Sequence, residues 1–283
     1  MLVVMADHLG MCFGVKDALQ TMREISNPEQ VTVYGELVHN PVVIEEMTAR
    51  GFQQLDETDR VVPATQEVLI TAHGVSNATR ERLRSEGKTL RDTTCPLVRR
   101  VHKAALHYQN LGYSLVVVGR HGHVEVEGLV GDLSDYTVVS SPDEVSAWPA
   151  TKIAVVNQTT IPPDHVQAVH QAIRLRNSQS ELVFVDTVCG PTRDRQNAVE
   201  RLVERVEALV VVGGPKSHNT LQLGRKAELA GKPWWRVSSA EELRWEWFLG
   251  LRVVGLTAGT STTDETVAEV HRTLRAIPAQ RTA

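Results

Sequence analysis

The chain contains only three cysteines, and each of them follows an apolar run that is typical of a β-strand. They are Cys12, Cys95 and Cys189. After each cysteine the sequence predicts a helix and then a second apolar strand, which ends in the spacing Gly-x3-His. The pairs with this spacing are Gly35 and His39, Gly119 and His123, and Gly214 and His218. The separations of 27, 28 and 29 residues between cysteine and histidine indicate three related repeats.

Three thiolates from three repeats predict an iron–sulfur site, because they are one fewer than the four cysteines of a closed cluster. Such a cluster would keep one iron open for a substrate. Zinc is a competing interpretation, but structural zinc sites usually contain a close cysteine pair, and these cysteines are 83 and 94 residues apart. A disulfide is the weakest interpretation, since an odd number of cysteines favours a reducing compartment.

Each repeat also predicts a third strand that ends in a small polar loop. Together with the histidines, these loops supply hydroxyl, amide and imidazole donors of the kind that bind phosphate oxygens. The candidate binding residues are His39, His73, His123, Thr159, Ser217, His218, Asn219 and Ser261. Any one of these histidines, taken singly, is more often a structural loop residue. The sequence contains neither a Walker A motif nor a dinucleotide-binding glycine motif at a strand–helix turn, which argues against the usual modes of nucleotide binding.

Glu125 is the carboxylate that could act as an acid in such a site. It follows His123 by two residues and lies between Val124 and Val126. If its side chain is buried, desolvation raises its pKa and lets it donate a proton to a leaving hydroxyl group. The alternative is an ordinary glutamate in the first turn of a helix, where the dipole favours negative charge. Glu127 is expected to be exposed.

Composition excludes several other classes of function. The 283 residues carry a net charge of −4 and no block of basic residues, which argues against nucleic-acid binding. No apolar run approaches the length of a membrane span. The apolar first residues lack a basic start and are interrupted by Asp7 and His8, so we interpret them as a strand and not a signal peptide. We therefore expect a cytoplasmic protein.

Strands and helices alternate along the chain, which predicts an α/β fold with mainly parallel sheets. The predicted strands are 2–6, 31–34, 68–72, 115–119, 153–156, 182–186, 208–212 and 252–257. The predicted helices are 15–26, 41–50, 77–86, 96–111, 124–131, 163–176, 192–206, 219–230 and 264–275. We expect Asn77 to cap the third helix, with Arg80 and Arg82 pointing outward. The repeats predict three similar lobes, 13–95, 96–188 and 189–283, with residues 1–12 near the centre.

Eight motifs in this order resemble one known family. They are GMCFGV, VHN, AHGVS, DTTCPLV, GHVEVEG, NQTT, DTVC with the later RQ, and TAGTS, and the resemblance runs from about residue 2 to residue 277. The family is that of 4-hydroxy-3-methylbut-2-enyl diphosphate reductase, which catalyses the last step of the methylerythritol phosphate route to isoprenoid precursors. The resemblance implies three α/β lobes in a pseudo-threefold arrangement around a 4Fe-4S cluster held by Cys12, Cys95 and Cys189.

The resemblance also implies the chemistry. The enzyme would be an oxidoreductase that reductively dehydroxylates an allylic diphosphate and releases isopentenyl and dimethylallyl diphosphate. A ferredoxin- or flavodoxin-like protein would supply the electrons. Glu125, with Thr159, matches the catalytic proton donor. Seven residues match positions around the diphosphate and the substrate: His39, His73, His123, Thr159, Ser217, Asn219 and Ser261.

Four departures from the family pattern keep an alternative open. The family usually has Ser-Ser-Asn where this chain has His218 between Ser217 and Asn219, and it has a proline where this chain has Val124. Residues 190–194 and 262–263 also differ. A paralogue that uses the same cluster on a different small anion is the second hypothesis, and His218 is its main support. A sensor that holds a cluster without turnover is the third, although no DNA-binding segment is evident.

Overall fold

The computed structural model describes residues 1–57 and 61–277. The strands are β1 (Leu2–Met5), β2 (Val31–Tyr34), β3 (Gln53–Gln54), β4 (Glu67–Ile70), β5 (Thr89–Asp92), β6 (Ser114–Val118), β7 (Tyr136–Val139), β8 (Lys152–Asn157), β9 (Glu181–Phe184), β10 (Ala208–Val212), β11 (Trp234–Val237) and β12 (Val253–Ala258). The α-helices are α1 (Phe13–Arg23), α2 (Pro41–Arg50), α3 (Asn77–Ser85), α4 (Pro96–Asn110), α5 (Val124–Val130), α6 (Pro163–Arg176), α7 (Gly190–Val203), α8 (His218–Leu229) and α9 (Asp264–Ala276).

The strands form three sheets of four parallel strands with the same internal order. The orders are β3-β2-β4-β5, β7-β6-β8-β9 and β11-β10-β12-β1. In each sheet the strand that leads to a Gly–His loop is second, and the strand that leads to a cysteine is an edge strand. The third sheet takes this last strand from the beginning of the chain. The prediction of an α/β fold with three lobes and parallel sheets is confirmed.

The chain divides into two compact units. One contains Met1–Val15, His39–Val43 and the residues after Cys189, and it includes the third sheet. The other contains Lys16–Val38 and Ile44–Cys189, with the first and second sheets. The lobe boundaries drawn from the sequence stay a prediction.

Parallel strands that helices cover on both faces are apolar on both faces, and β10 is an example. Leu209 and Val211 pack with α7 and α8 on one side of the sheet. Val210 and Val212 point to the opposite side and pack with α9. The second sheet repeats this division, because one face of β6 packs with α4 and α5 and the other face with α6. The buried sheets hold the loops at their carboxyl ends in fixed positions.

All nine predicted helices and all eight predicted strands are present, but β3, β5, β7 and β11 were not predicted. These four lie at the edges of their sheets. Their residues are partly exposed, so they lack the continuous apolar run of a central strand. Strand signals therefore identified every central strand and the two apolar edge strands β1 and β9, and they missed the other four edge strands.

Two local predictions in the first sheet's lobe are wrong. Ser76, and not Asn77, caps α3, because its hydroxyl oxygen accepts the N–H of Thr79. Arg80 does not point outward but is 8% exposed, and its guanidinium pairs with Asp92 at 2.9 Å. No helix in the described ranges is long and apolar enough to cross a membrane.

Candidate active site

The three cysteines are held by one recurring backbone hydrogen bond. In each lobe the N–H of the cysteine donates to the carbonyl of the residue two positions beyond the end of the neighbouring central strand. The pairs are Cys12 with Thr260, Cys95 with Ala72 and Cys189 with Thr159, all at 3.0 Å. Each cysteine directly precedes a helix, namely α1, α4 or α7. The three thiols are free of disulfides and partly exposed. The repeat inferred from the sequence is therefore built into the backbone.

Glu125 forms a closed pair with Thr159. It is the second residue of α5 and only 4% exposed. Its Oε1 accepts the backbone N–H of Thr159 at 2.7 Å, and its Oε2 pairs with the Thr159 hydroxyl at 2.9 Å. Burial raises the pKa of Glu125 to about 7 from an ordinary 4.5, although the two hydrogen bonds from Thr159 act to lower it. This carboxyl group can therefore hold and release a proton near neutral pH.

Thr159 joins this acid to a cysteine loop. Its N–H and hydroxyl bind Glu125, while its carbonyl accepts the N–H of Cys189. The preceding strand end is fixed in turn, because the N–H of Asn157 donates to the Thr187 hydroxyl at 2.7 Å. The end of β8 thus positions the acid and the cysteine backbone together.

His123 and His73 lie beside each other in the unit that contains Glu125. His123 caps α5, and its Nδ1 accepts the N–H of Glu125 at 3.1 Å. A neutral His123 must therefore carry its proton on Nε2. The two imidazole rings meet edge to face, with centroids 5.8 Å apart and an angle of 87° between their planes. The structure therefore brings together two of the predicted binding histidines.

The start of α8 is equivalent to the start of α5, but shifted by one residue from the repeat read in the sequence. Ser217 caps α8 and stands five residues beyond the end of β10, as His123 stands five residues beyond the end of β6. The structural counterpart of His123 is thus Ser217 and not His218. His218 is the first residue of the helix, and its Nε2 lies 3.3 Å from Nε2 of Gln222.

Asn219, near the start of α8, has a buried side-chain amide without hydrogen-bond partners among the described residues. It is 3% exposed, and neither atom of its side-chain amide makes a hydrogen bond. Buried amides without partners are costly, so their retention is typical of a site that a ligand completes. Asn219 occupies the second position of α8, which is the position of Glu125 in α5.

Ser261 and His39 are joined through the backbone within the other unit. The Ser261 hydroxyl donates to the carbonyl of His39 at 3.3 Å, and the Asn40 amide donates to the carbonyl of Ser261 at 2.6 Å. Gly214 leaves room for the His39 carbonyl, because a Cβ atom at this position would lie 2.8 Å from its oxygen. The structure thus brings together the predicted binding residues of two distant motifs.

Arg195 is a residue of this region whose role the sequence did not reveal. Its guanidinium donates to the carbonyl of Gly10 from Nε at 3.0 Å and from Nη2 at 2.7 Å, and to the carbonyl of Pro191 from Nη1 at 2.9 Å. The only signal in the sequence is the dipeptide RQ after Cys189. Gly10 lies 185 residues away, so no local pattern could identify the contact.

These features define a class: an α/β protein with three related lobes, each built on a parallel sheet with a cysteine after one edge strand, and with a buried, protonatable acid in one lobe. The chain belongs to the LytB protein family, whose sequence pattern matches residues 3–275. The family membership predicted from the motifs is confirmed.

Similar proteins cover nearly the whole chain. A 4-hydroxy-3-methylbut-2-enyl diphosphate reductase of Methylibium petroleiphilum is 36% identical over 98% of this chain and 86% of its own length. One from Caldanaerobacter subterraneus is 32% identical over 97% of both chains. A solved structure of an (E)-4-hydroxy-3-methyl-but-2-enyl diphosphate reductase is 30% identical, with a TM-score of 0.69 over 97% of this chain and 99% of the other. A reductase from Plasmodium falciparum shares the fold, with a TM-score of 0.89 over 98% of this chain and 89% of its own, at 23% identity.

Proposed function

We propose that this chain is an oxidoreductase that converts 4-hydroxy-3-methylbut-2-enyl diphosphate into isopentenyl and dimethylallyl diphosphate. Membership of the LytB family over residues 3–275 supports this function, as do the names of the relatives. The observation that carries it is the buried pair of Glu125 and Thr159, because reductive loss of a hydroxyl group needs a proton donor.

The cysteines fit an iron–sulfur cluster as its ligands. Cys12, Cys95 and Cys189 form no disulfide and lie in equivalent loops, and each directly precedes a helix whose N-terminal end favours negative charge. We assign them as the three ligands of a 4Fe-4S cluster. When bound, the cluster would supply electrons one at a time and a Lewis-acidic iron, without a cysteine ligand, for the hydroxyl of the substrate.

The residues of the chain handle the protons. The overall reaction takes up two electrons and two protons: the bond between carbon and the hydroxyl oxygen breaks, the oxygen leaves as water, and one proton ends on carbon. Burial raises the pKa of Glu125 to about 7, so a large share of its carboxyl groups carry a proton at neutral pH. In the structure the Thr159 hydroxyl donates to Oε2 of Glu125. Once Oε2 carries that proton the bond would reverse, which would free the Thr159 hydroxyl proton for the substrate. The acid and the threonine would thus deliver the proton as a pair.

The remaining candidates would bind and orient the diphosphate. Asn219 has a buried amide that a ligand can complete, and Ser217 caps the same helix. His73 and His123 supply adjacent imidazoles, and Ser261 supplies a hydroxyl tied to His39. Hydroxyl, amide and imidazole donors suit phosphate oxygens without requiring a Walker A loop. His218, the first residue of α8, stays among the proposed binding residues because it stands between Ser217 and Asn219.

The electron donor and the compartment are also proposals. Two single-electron steps need a one-electron donor, and we infer that in the cell a small ferredoxin- or flavodoxin-like protein supplies these electrons. Three cysteines that form no disulfide favour a reducing compartment, which we infer to be the cytoplasm. We assign the chain neither a nucleic-acid nor a membrane partner.

The test is anaerobic turnover by the full chain after its cluster has been reconstituted, with a reduced viologen as electron source. We expect the dye to be oxidised and both five-carbon diphosphates to form. Glu125→Gln should lose about 10²–10⁴-fold in turnover while it keeps its iron and sulfide. Glu127→Gln is the matched control, because Glu127 lies in the same helix but is exposed.

Two results would contradict the proposal. Protein that holds a full 4Fe-4S cluster but oxidises no dye with this substrate would have another substrate. Protein in which Glu125→Gln keeps wild-type turnover would not use Glu125 as its acid. Turnover of the active protein should also fall as the pH rises through about 7, because Glu125 then loses its proton.

A further inference from the structure

The loop that carries Cys12 depends on an unusual backbone conformation at Gly10. This glycine has φ of +72°, in the left-handed region that other residues rarely adopt. Its N–H donates to the carbonyl of Ala258 at 3.1 Å, and Cys12 donates to Thr260. These two bonds tie the loop to the end of β12. Neither bond uses the Gly10 carbonyl, which needs a hydrogen-bond partner of its own.

Arg195 supplies that partner. Two of its guanidinium nitrogens donate to the same Gly10 carbonyl, and the third donates to Pro191, two residues after Cys189. Arg195 is 8% exposed, so these bonds form with little competition from water. One side chain therefore fixes a carbonyl two residues before one cysteine and another two residues after a second cysteine.

The Cys95 loop shows that an arginine clamp next to a cysteine recurs, but with a different reach. Arg99, one helical turn after Cys95, donates to the carbonyls of Thr94 and Asp92 at 3.2 and 3.3 Å. Arg99 thus holds only the loop of its own cysteine, and its side chain is 44% exposed. Arg195 is buried and holds a loop that lies 185 residues away in the chain.

We propose that Arg195 is a positioning residue for the iron–sulfur cluster, which sets the place of Cys12 relative to helix α7 and thereby controls how firmly the cluster is retained. The proposal rests on the assignment of the cysteines as cluster ligands. Arg195 does not touch the reacting atoms; it acts through the Gly10 carbonyl. Lysine cannot replace it, because a single ammonium group lacks the planar fork that reaches Gly10 twice and Pro191 once.

The experiment measures the release of iron to a ferrous chelator from reconstituted, anaerobic full-length protein. Arg195→Lys should release iron about tenfold faster than the wild type, which is typical when a residue that orients a metal ligand is lost. The electron paramagnetic resonance signal of the reduced cluster should change shape, since the thiolate of Cys12 is no longer held in one place. Turnover per intact cluster should fall much less than iron retention does.

Arg201→Lys is the matched control. Arg201 lies in the same helix and also reaches the segment before Cys12, through Asp7 at 3.3 Å, but both side chains of this pair are more than half exposed. It should release iron at the wild-type rate. Gly10→Ala disturbs the same carbonyl through the left-handed φ, so it should repeat the effect of Arg195→Lys without any change to the arginine.

Several outcomes would overturn the inference. Wild-type retention and an unchanged resonance signal in Arg195→Lys would show that the fork does not position the cluster. Faster release in Arg195→Lys and Arg201→Lys alike would indicate a general weakening of α7. Wild-type protein that takes up no iron and sulfide would refute the cofactor assignment itself, so this failure is distinct from that of Arg195.

Discussion

The start of α5 and the start of α8 occupy the same place in two lobes but present opposite chemistry. At the second helical position α5 has Glu125, whose carboxyl group is satisfied within the protein by Thr159. At that position α8 has Asn219, whose amide is equally buried but has no hydrogen-bond partner in the described part of the chain. One lobe therefore holds a buried polar side chain with its hydrogen bonds made, and the other holds a buried polar side chain whose hydrogen bonds are not made.

This contrast shows that the backbone common to the lobes and the side chains at the helix starts have different functions. The strand order and the cysteine hydrogen bond are the same in every lobe, so the backbone carries the common task of presenting a thiol. The residues at the helix starts are free to differ. A carboxyl group that must keep a proton benefits from burial with internal partners, whereas an amide that must bind a ligand benefits from having none.

The largest expected effect concerns the cysteine that each lobe presents. Replacing Cys12, Cys95 or Cys189 by serine should in each case abolish a stable 4Fe-4S cluster and with it turnover, because the remaining two thiolates do not suffice. Iron and sulfide analysis of anaerobically reconstituted protein measures this. A full cluster in any one of the variants would remove that cysteine from the ligand set.

The next largest effect is expected from Glu125, whose carboxyl group is hydrogen-bonded within the protein. Because the pKa of Glu125 is raised to about 7 in the folded protein, its carboxyl group binds a proton more tightly when folded than when unfolded. The contribution of Glu125 to the free energy of unfolding is thus fully present below pH 4.5. This contribution falls by roughly 3 kcal/mol as the pH rises to about 7. Denaturant unfolding of the cluster-free protein should show this loss relative to Glu125→Gln. Parallel pH profiles of the two proteins would disprove the raised pKa.

A smaller effect, of opposite sign, is expected at the incomplete position. Asn219→Leu removes two buried polar atoms that lack hydrogen-bond partners. The free energy of unfolding of the cluster-free protein, measured with denaturant, should therefore rise by about 1 kcal/mol. The same variant should bind the substrate more weakly, which a raised KM would reveal. If the variant loses stability and keeps its KM, Asn219 is a structural residue and the contrast between the two lobes fails.

The smallest effect is expected at His218. Ser217, not His218, caps α8, and His218 corresponds to Val124 in α5. His218→Ser should therefore change kcat/KM for 4-hydroxy-3-methylbut-2-enyl diphosphate by less than about tenfold. A larger gain in activity would mean that His218 has altered the substrate preference of this chain, and substrate trials with other small anions would then be justified.

Much of the fold was predictable from local pattern. Central strands such as β10 are apolar on both faces, and all nine predicted helices have a clear apolar stripe or a proline or polar start. Four of the six edge strands in the described residues were missed, because polar residues interrupt their short sequences, whereas the apolar runs of β1 and β9 were recognised. Arg80 was misplaced for a similar reason: only the packed fold reveals that an arginine is buried against Asp92.

The family, the three repeats and the three cysteines could be recognised from the sequence alone, because short motifs carry each of them. Which residues are equivalent between lobes became evident only in the folded chain, since equivalence depends on the distance from a strand end and on a hydrogen bond. It replaced His218 by Ser217 as the counterpart of His123, and it joined Glu125 to Thr159. Arg195 shows the same limit, because its contact with Gly10 spans 185 residues and exists only once the chain has folded.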